Sequence, residues 1–166
     1  NLDMLRFCAA NVVNGNLARR YSYFDDRIKT GKELLKGRFQ VCAPFAIYRK
    51  GFLEEQGLRF YPGLYHEDNE FTPRAYYYAK KVASINDIIY LVVQTPFSIT
   101  RTPNPKRGYD LLKIIDMLVE FAETKIEEAY RPYIYKQVSD CINSAIRLMR
   151  SLPEESREEL KNALEK

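Results

Sequence analysis

The sequence predicts a mixed α/β protein, rich in helix, that ends in a helical hairpin. Two short apolar runs, 82–85 and 88–93, have the length and composition of strands. After residue 109, apolar side chains recur at helical spacing in two stretches that Arg131-Pro132 separates. Shorter helix and turn signals are interleaved through the part before residue 102, which is the pattern of a mixed fold.

The first 36 residues carry two local signals. An Asn-Gly-Asn sequence at 14–16 marks a turn after a mixed stretch at 4–13. Thr30 is followed three residues later by Glu33, which is the capping-box pattern of a helix start. We therefore expect a short helix from Gly31.

Residues 39–63 give one ambiguous and two clear signals of secondary structure. Residues 39–48 are apolar in patches, and their periodicity does not distinguish a strand from a buried helix. Residues 50–56 predict a short helix, because Gly57 is a good residue to end one. Pro62-Gly63 marks a turn.

A helix that starts after the Glu-Asp at 67–68 and runs to about Lys81 is expected. The position of Pro73 restricts where it can begin. A proline inside a helix costs about 3 kcal/mol, so we expect Pro73 in the first turn. This prediction places Asp68 just outside the helix N-terminus. Such a position favours the ionised carboxylate, and we expect Asp68 to be deprotonated.

The remaining elements are predicted from apolar runs and from the turn, proline and capping residues between them. The two runs at 82–93 predict two strands with a tight connection at Asn86-Asp87. Residues 102–108, with two prolines, predict a linker, and 109–166 a helical appendage. Within the appendage, Ser151 and Glu154 form a capping-box pattern before a charged final helix.

Composition narrows the function classes. The 166 residues carry a net charge of +4, with 46% hydrophobic and 29% charged residues, which is ordinary for a globular protein. The basic pairs are scattered, whereas a nucleic-acid domain usually concentrates them in one stripe. Three widely spaced cysteines and one histidine argue against a zinc site and favour a reduced, cytoplasmic setting. No run reaches the ~18–20 apolar residues of a membrane span.

The chain starts with Asn-Leu-Asp, which is neither an initiator methionine nor a signal peptide. We interpret this start as a cut inside a longer chain.

An ordered set of segments between about Gly31 and Arg101 carries a family resemblance. Its members are a Gly-Lys-Glu-Leu-Leu segment at 31–35, Tyr-Arg-Lys-Gly-Phe-Leu and Gly-Leu-Arg-Phe within 48–60, a loop ending in Glu-Asp at 62–68, Ala-Lys-Lys-Val at 79–82, and Ser-Ile-Thr at 98–100 after Tyr90. In this order and spacing they resemble bacterial family 2 glycosyltransferases. The resemblance does not extend to the C-terminal helices.

The resemblance implies a GT-A fold, of which residues 1–101 would be the C-terminal, acceptor-side half. The family's first half binds the nucleotide sugar and holds a divalent metal, Mg²⁺ or Mn²⁺, through an Asp-x-Asp motif. Asp25-Asp26 does not match that motif, because the two aspartates are adjacent and precede the Gly-Lys-Glu segment. We therefore expect the donor half upstream of Asn1, with no metal site in this chain and no sugar transfer by this chain alone.

The resemblance also implies roles for five residues. Asp68 matches the catalytic general base, and Glu67 would orient it or bind acceptor hydroxyls. His66, Ser98 and Arg101 are the candidates for binding the acceptor or phosphate. Many relatives have an arginine where this chain has Val93, and Arg101 is the candidate substitute for that charge.

Each assignment has a structural alternative. Asp68 before a helix is often only an N-cap, and His66 would otherwise be a half-exposed loop residue. The tyrosines at 76–78 either stack on sugar rings or, more commonly, pack in the core. The C-terminal stripes are expected to form a hairpin core that covers the acceptor cleft or forms a dimer seam.

The leading hypothesis is transfer of a sugar from a nucleotide donor to a growing cell-surface polysaccharide. Its partners are the nucleotide sugar and the glycan acceptor, without nucleic acid. The expected location is cytoplasmic, at the inner face of the membrane if the acceptor is lipid-linked. The alternative hypothesis is a non-catalytic helical module that binds a partner protein.

Overall fold

The computed structural model describes residues 1–22, 24–37, 39, 41–93 and 104–165. These residues form two compact units. The first contains residues 1–59 and 71–93, and the second contains residues 60–70 and 104–165. Together they include four strands and six α-helices, so the fold class is mixed α/β, as the sequence predicts.

The first unit is built on a mixed sheet around one central strand. Strand β1 (Met4–Val13) pairs antiparallel with β2 (Asn16–Tyr21) and β3 (Ala46–Tyr48), and parallel with β4 (Val82–Val93). Because β4 follows β1 over most of its length and a strand has only two edges, β2 and β3 share the opposite edge. Of these strands, only the region of β4 is predicted from sequence.

Apolar and polar residues do not alternate along strand β1, because the strand is buried on both faces. Its fully or nearly fully buried residues are Met4, Arg6, Phe7, Cys8, Ala9 and Ala10. A central strand with parallel pairing normally has such a continuous apolar run. This explains why the stretch at 4–13 is ambiguous in sequence.

The predicted turn after β1 is confirmed. Asn14 and Gly15 both have positive φ, 50° and 80°. Two successive residues with positive φ are what a two-residue hairpin between antiparallel strands requires. The turn connects β1 to β2.

The prediction of two strands in 82–93 is wrong. The segment is one strand, β4, and its pairing with β1 shifts register between Ser84 and Tyr90. Asn86 and Asp87 lie within this shift. Both halves of β4 run parallel to the same strand, so the chain does not reverse, and the polar pair forms an irregularity instead of a turn.

The two short helices of the first unit agree with their predicted signals. Helix α1 (Gly31–Lys36) begins with a complete capping box. The backbone N–H of Glu33 donates to the Thr30 hydroxyl at 3.1 Å, and the Thr30 N–H donates to the Glu33 carboxylate at 2.7 Å. Helix α2 (Lys50–Glu55) is followed by Gly57 with a φ of 61°, and the ambiguous segment before it contains a 3₁₀ turn and β3.

The predicted start of the next helix is wrong. Helix α3 (Glu67–Tyr78) contains Pro73 in its interior, and Asp68 is its second residue. The side chain of Pro73 is fully buried. Burial of the ring in the core offsets the missing N–H, so tertiary packing overrides helix propensity here.

The second unit is a helical assembly. Helix α4 (Pro105–Thr124) packs against α5 (Arg131–Met149) and α6 (Glu154–Leu164). The two amphipathic helices of the predicted hairpin therefore exist and pack together, with Pro132 in the first turn of α5. Their buried residues include Leu111, Ile114, Leu118, Phe121, Ala122, Ile134, Val138, Cys141, Ala145 and Leu160.

Two boundary predictions in this unit differ from the structure. Helix α4 begins at Pro105, inside the predicted linker 102–108, because the side chain of Asn104 accepts the Lys106 N–H at 3.0 Å and caps the helix. The capping box at Ser151 does not form. Ser151 bonds back to the Leu148 carbonyl at 2.7 Å, and α6 begins at Glu154 without a side-chain cap.

In the part of the chain that the structure describes, no helix combines the length and the apolar character needed to cross a membrane.

Candidate functional site

The predicted site residues His66, Glu67 and Asp68 lie where a loop enters α3, within the second unit. His66 has a φ of 62°, an unusual conformation for a residue other than glycine. The His66 carbonyl accepts the backbone N–H of Asn69 at 2.9 Å, which closes the first turn of the helix. Such a strained residue next to a candidate catalytic group is a common feature of functional sites.

Asp68 is half-buried, and its carboxyl group has a perturbed pKa. Burial, and secondly the charge of Glu67, raise this pKa from 3.8 to about 6. Hydrogen bonds from the backbone N–H groups of Asn69 and of Asp68 itself lower it, but by less. The helix N-terminus alone would lower the pKa, so desolvation is the larger effect. The group is still mostly ionised at neutral pH.

Asp68 also lies inside α3 and not at the N-cap position. Its carboxylate Oδ1 accepts a hydrogen bond from the side-chain amide of Asn69 at 3.2 Å. The N-cap interpretation of Asp68 is therefore wrong in its simple form, because a cap residue precedes the helix.

His66 is half-buried, as the structural alternative predicts, and it is held by the first turn of α4. Arg107 donates from Nε to His66 Nε2 at 3.4 Å. The pKa of His66 is lowered by burial first and by Arg107 second. The ring is therefore neutral at neutral pH. With Nε2 accepting a hydrogen bond, its proton is on Nδ1.

The first two turns of α4 also fix the loop before His66. Asp110 is 8% exposed, and its Oδ2 accepts the backbone N–H of Tyr65 at 2.7 Å and an ion-pair hydrogen bond from Lys106. Lys106 also donates to the Gly63 carbonyl at 2.7 Å. These bonds attach the loop to α4 at Gly63 and at Tyr65, shortly before His66.

A buried polar network supports Asp68 from α5. Gln137 is 6% exposed and donates from Nε2 to Asn69 Oδ1 at 3.0 Å. Cys141, 1% exposed, lies 3.9 Å from the same oxygen and 3.7 Å from Gln137 Nε2. Asn69 in turn donates a hydrogen bond from its amide NH₂ group to the Asp68 carboxylate, and so links Gln137 to Asp68.

The structure thus brings together His66, Glu67 and Asp68, and Glu67 is exposed in the first turn of α3. Ser98 and Arg101, the other predicted acceptor or phosphate ligands, lie outside the described residues. Two cavities of about 10 and 200 Å³ in the first unit are lined by described residues and do not include Asp68. Access of a sugar hydroxyl to Asp68 therefore stays a prediction.

Tyr76 and Tyr77 belong to the core and not to the candidate site, whereas Tyr78 is half-buried. Tyr76 and Tyr77 are 4% and 7% exposed, and Tyr77 packs edge-on against Tyr78 with ring centroids 5.2 Å apart. The packing interpretation is confirmed for Tyr76 and Tyr77.

The residues present do not fit the divalent metal that the resemblance implies. Within the described ranges, no three His, Cys, Asp or Glu side chains are grouped closely enough to hold an ion. The metal remains a prediction for the donor half.

Sequence reasoning missed Asn69, Arg107, Asp110 and Gln137. One signal was available for Gln137, which is a polar residue inside the apolar stripe of Ile134, Val138 and Cys141. A polar side chain on a buried helix face needs a buried hydrogen-bond partner. No comparable signal exists for Arg107, which contacts a loop about forty residues away in sequence.

In comparisons with known proteins, the chain matches no profile of a protein family, and no curated protein is significantly similar to it. The resemblance to family 2 glycosyltransferases therefore depends on the ordered motifs alone.

Proposed function

We propose that this chain is the acceptor-side part of an inverting family 2 glycosyltransferase with a GT-A fold, and that Asp68 is its general base. One observation carries the proposal. The Glu-Asp of the family pattern coincides with a half-buried carboxylate whose pKa is raised to about 6. A base with a pKa just below neutral is both ionised and able to hold a proton, which suits proton transfer in a transition state.

The reaction would proceed by direct displacement. The acceptor O–H proton passes to the Asp68 carboxylate as the oxygen forms a bond to the anomeric carbon. The bond from that carbon to the diphosphate breaks on the opposite face, and the leaving group takes the electron pair. A divalent metal in the donor half would stabilise the charge on the diphosphate.

The other site residues support this role. Neutral His66 offers an Nδ1–H donor beside the base, suited to an acceptor hydroxyl or a phosphate oxygen. Glu67 is exposed at the same helix start and is suited to bind acceptor hydroxyls. The proposed partners are a nucleotide sugar and a glycan acceptor, at the cytoplasmic face of the membrane if the acceptor is lipid-linked.

The central test is Asp68→Asn in the full-length protein that contains this chain. We expect kcat to fall by about 10²–10⁴-fold, the usual contribution of a general base, with little change in the KM for the nucleotide sugar. The measurement is transfer of a labelled sugar to an acceptor glycan, with circular dichroism as the check on folding.

The matched control is Asp116→Asn, the same change at an exposed position on α4, which should keep wild-type turnover. In the wild type, kcat/KM should rise with pH through an apparent pKa of about 6, and this rise should be absent in Asp68→Asn. Full turnover by Asp68→Asn would show that Asp68 is not the base. No transfer by the wild-type full-length protein from any nucleotide sugar would favour the non-catalytic helical module instead.

A further inference from the structure

The polar network between α3 and α5 has a defined direction. The Asp68 carboxylate can only accept hydrogen bonds when ionised, so Asn69 must present its NH₂ group to Asp68 Oδ1, 3.2 Å away. The Asn69 carbonyl oxygen then faces α5. It receives the Gln137 amide N–H at 3.0 Å. The same Asn69 NH₂ group also donates to the His66 carbonyl at 3.4 Å, so both ends of the Asn69 amide have partners that fix its orientation.

Burial makes this arrangement difficult to replace with water. Gln137 is 6% exposed, and it lies on the apolar face of α5 near the buried residue Cys141. Burial raises the pKa of Cys141 to about 11, so its thiol stays protonated and is a second, weaker donor to Asn69 Oδ1, at 3.9 Å. A buried polar group that loses its partner carries a large desolvation cost, so Gln137 strongly favours one orientation of Asn69.

From this geometry we infer that Gln137 is a positioning residue for the proposed base, which it orients through Asn69. The inference rests on the proposed function and deepens it. It gives a catalytic role to α5, which lies in the part of the chain that the family resemblance does not cover. The C-terminal helices would then be part of the catalytic machinery and not an independent appendage.

Two variants separate orientation from packing. Gln137→Met keeps a long side chain but removes the donor to Asn69. Gln137→Glu keeps the shape and places a carboxylate against Asn69 Oδ1, which favours a reversed Asn69 amide whose oxygen faces Asp68. The control is Asn143→Glu, which also replaces an amide with a carboxylate, on a side chain one CH₂ longer, at an exposed position of α5.

The first readout needs no sugar transfer. NMR titration of the Asp68 carboxyl carbon in the 166-residue chain should show its pKa raised further, by about 1 in Gln137→Glu and about 0.5 in Gln137→Met. Asn143→Glu should leave it unchanged. The carbon signal isolates Asp68 from the titratable groups around it, which are Glu67, His66 and Cys141.

The second readout is kinetic, in the full-length protein. We expect kcat to fall by about tenfold in Gln137→Met, because one orienting hydrogen bond corresponds to about a factor of ten in rate. KM for the donor should change little, and the apparent pKa of the pH profile should rise with the NMR value. A packing defect that exposes Asp68 to water would instead lower that pKa, because burial is the main cause of its rise.

The outcomes distinguish this inference from the proposed function. If the wild type transfers sugar while both Gln137 variants keep the wild-type pKa of Asp68 and the wild-type kcat, the positioning role is wrong and the function stands. If the variants shift the pKa of Asp68 but the wild type transfers nothing, the network is real and the transferase proposal is wrong. If Gln137→Glu fails to fold, Gln137→Met alone decides.

Discussion

At the scale of single residues, Asp68 combines two opposing environments. The start of α3 favours its charge, whereas burial and Glu67 disfavour it, and the sequence does not show the burial. The structure decides the balance, because the pKa is raised to about 6. An ionised group held at a cost to stability is typical of functional sites.

This cost predicts a stability effect for Asp68→Asn. The folded-state pKa lies above the reference value of 3.8, so Asp68 contributes most stability when protonated. That contribution is complete below about pH 4 and is lost as the pH rises through about 6. A rise from 3.8 to about 6 corresponds to about 3 kcal/mol, so Asp68→Asn should stabilise the chain by about 1–3 kcal/mol at pH 8 and have no effect at pH 4.

Urea unfolding of the two proteins at pH 4 and pH 8 measures this difference. Asp116→Asn, at an exposed position, should change the free energy of unfolding by less than about 0.5 kcal/mol at either pH. Destabilisation of Asp68→Asn at pH 8 would mean that the carboxylate mainly supports the helix start.

At the scale of elements, packing decides cases that local propensity leaves open. Pro73 lies inside α3 because its ring is buried. Strand β4 continues through Asn86-Asp87 because both of its halves pair with β1. Gly31, the first residue of α1, is a third example, since its backbone N–H donates to the Ala79 carbonyl at 2.8 Å.

Gly31→Ala should destabilise the first unit. Helix propensity favours alanine by about 1 kcal/mol, but a Cβ at this position would lie 1.8 Å from the carbonyl oxygen of Tyr76. This neighbour is backbone and cannot rotate away, so we expect a net loss of about 1–3 kcal/mol or more. The shift of the urea midpoint measures it.

Gly37→Ala is the matched control at the other end of α1. Its added Cβ would meet only the Leu34 carbonyl oxygen at 3.6 Å, an ordinary contact. We expect a change within about 0.5 kcal/mol. Equal effects of the two substitutions would contradict the close approach of Gly31 and Tyr76.

At the scale of the whole molecule, the candidate site belongs entirely to the second unit. The loop at 60–66, the first turn of α3, and helices α4 and α5 all contribute to it. The resemblance covers the loop and α3 but not the two long helices. The site is therefore assembled from a recognisable segment and from helices that no motif identifies.

A prediction at this scale concerns the isolated chain. Under the proposed function, the purified 166-residue chain should transfer no sugar, because the nucleotide sugar is bound by the donor half. The full-length protein should transfer sugar in the presence of Mg²⁺ or Mn²⁺. A radiolabel assay of both proteins, with and without a chelator, measures this, and transfer by the isolated chain would contradict the assignment of the donor site.

The sequence by itself determined features whose signals are local. The capping box at Thr30, the turn at Asn14-Gly15 and the amphipathic stripes of α4 and α5 are all present as predicted. Each depends on residues within a few positions of one another, so spacing and residue type are sufficient to identify them.

Only the tertiary structure decided the features that depend on distant partners. The central place of β1, the continuity of β4 and the raised pKa of Asp68 result from burial and pairing between remote segments. The support of Asp68 by Gln137 passes through the hydrogen bond between Gln137 and Asn69, which are 68 positions apart. Periodicity reports which face of an element is buried but not which element covers it, and desolvation and hydrogen-bond direction depend on that covering element.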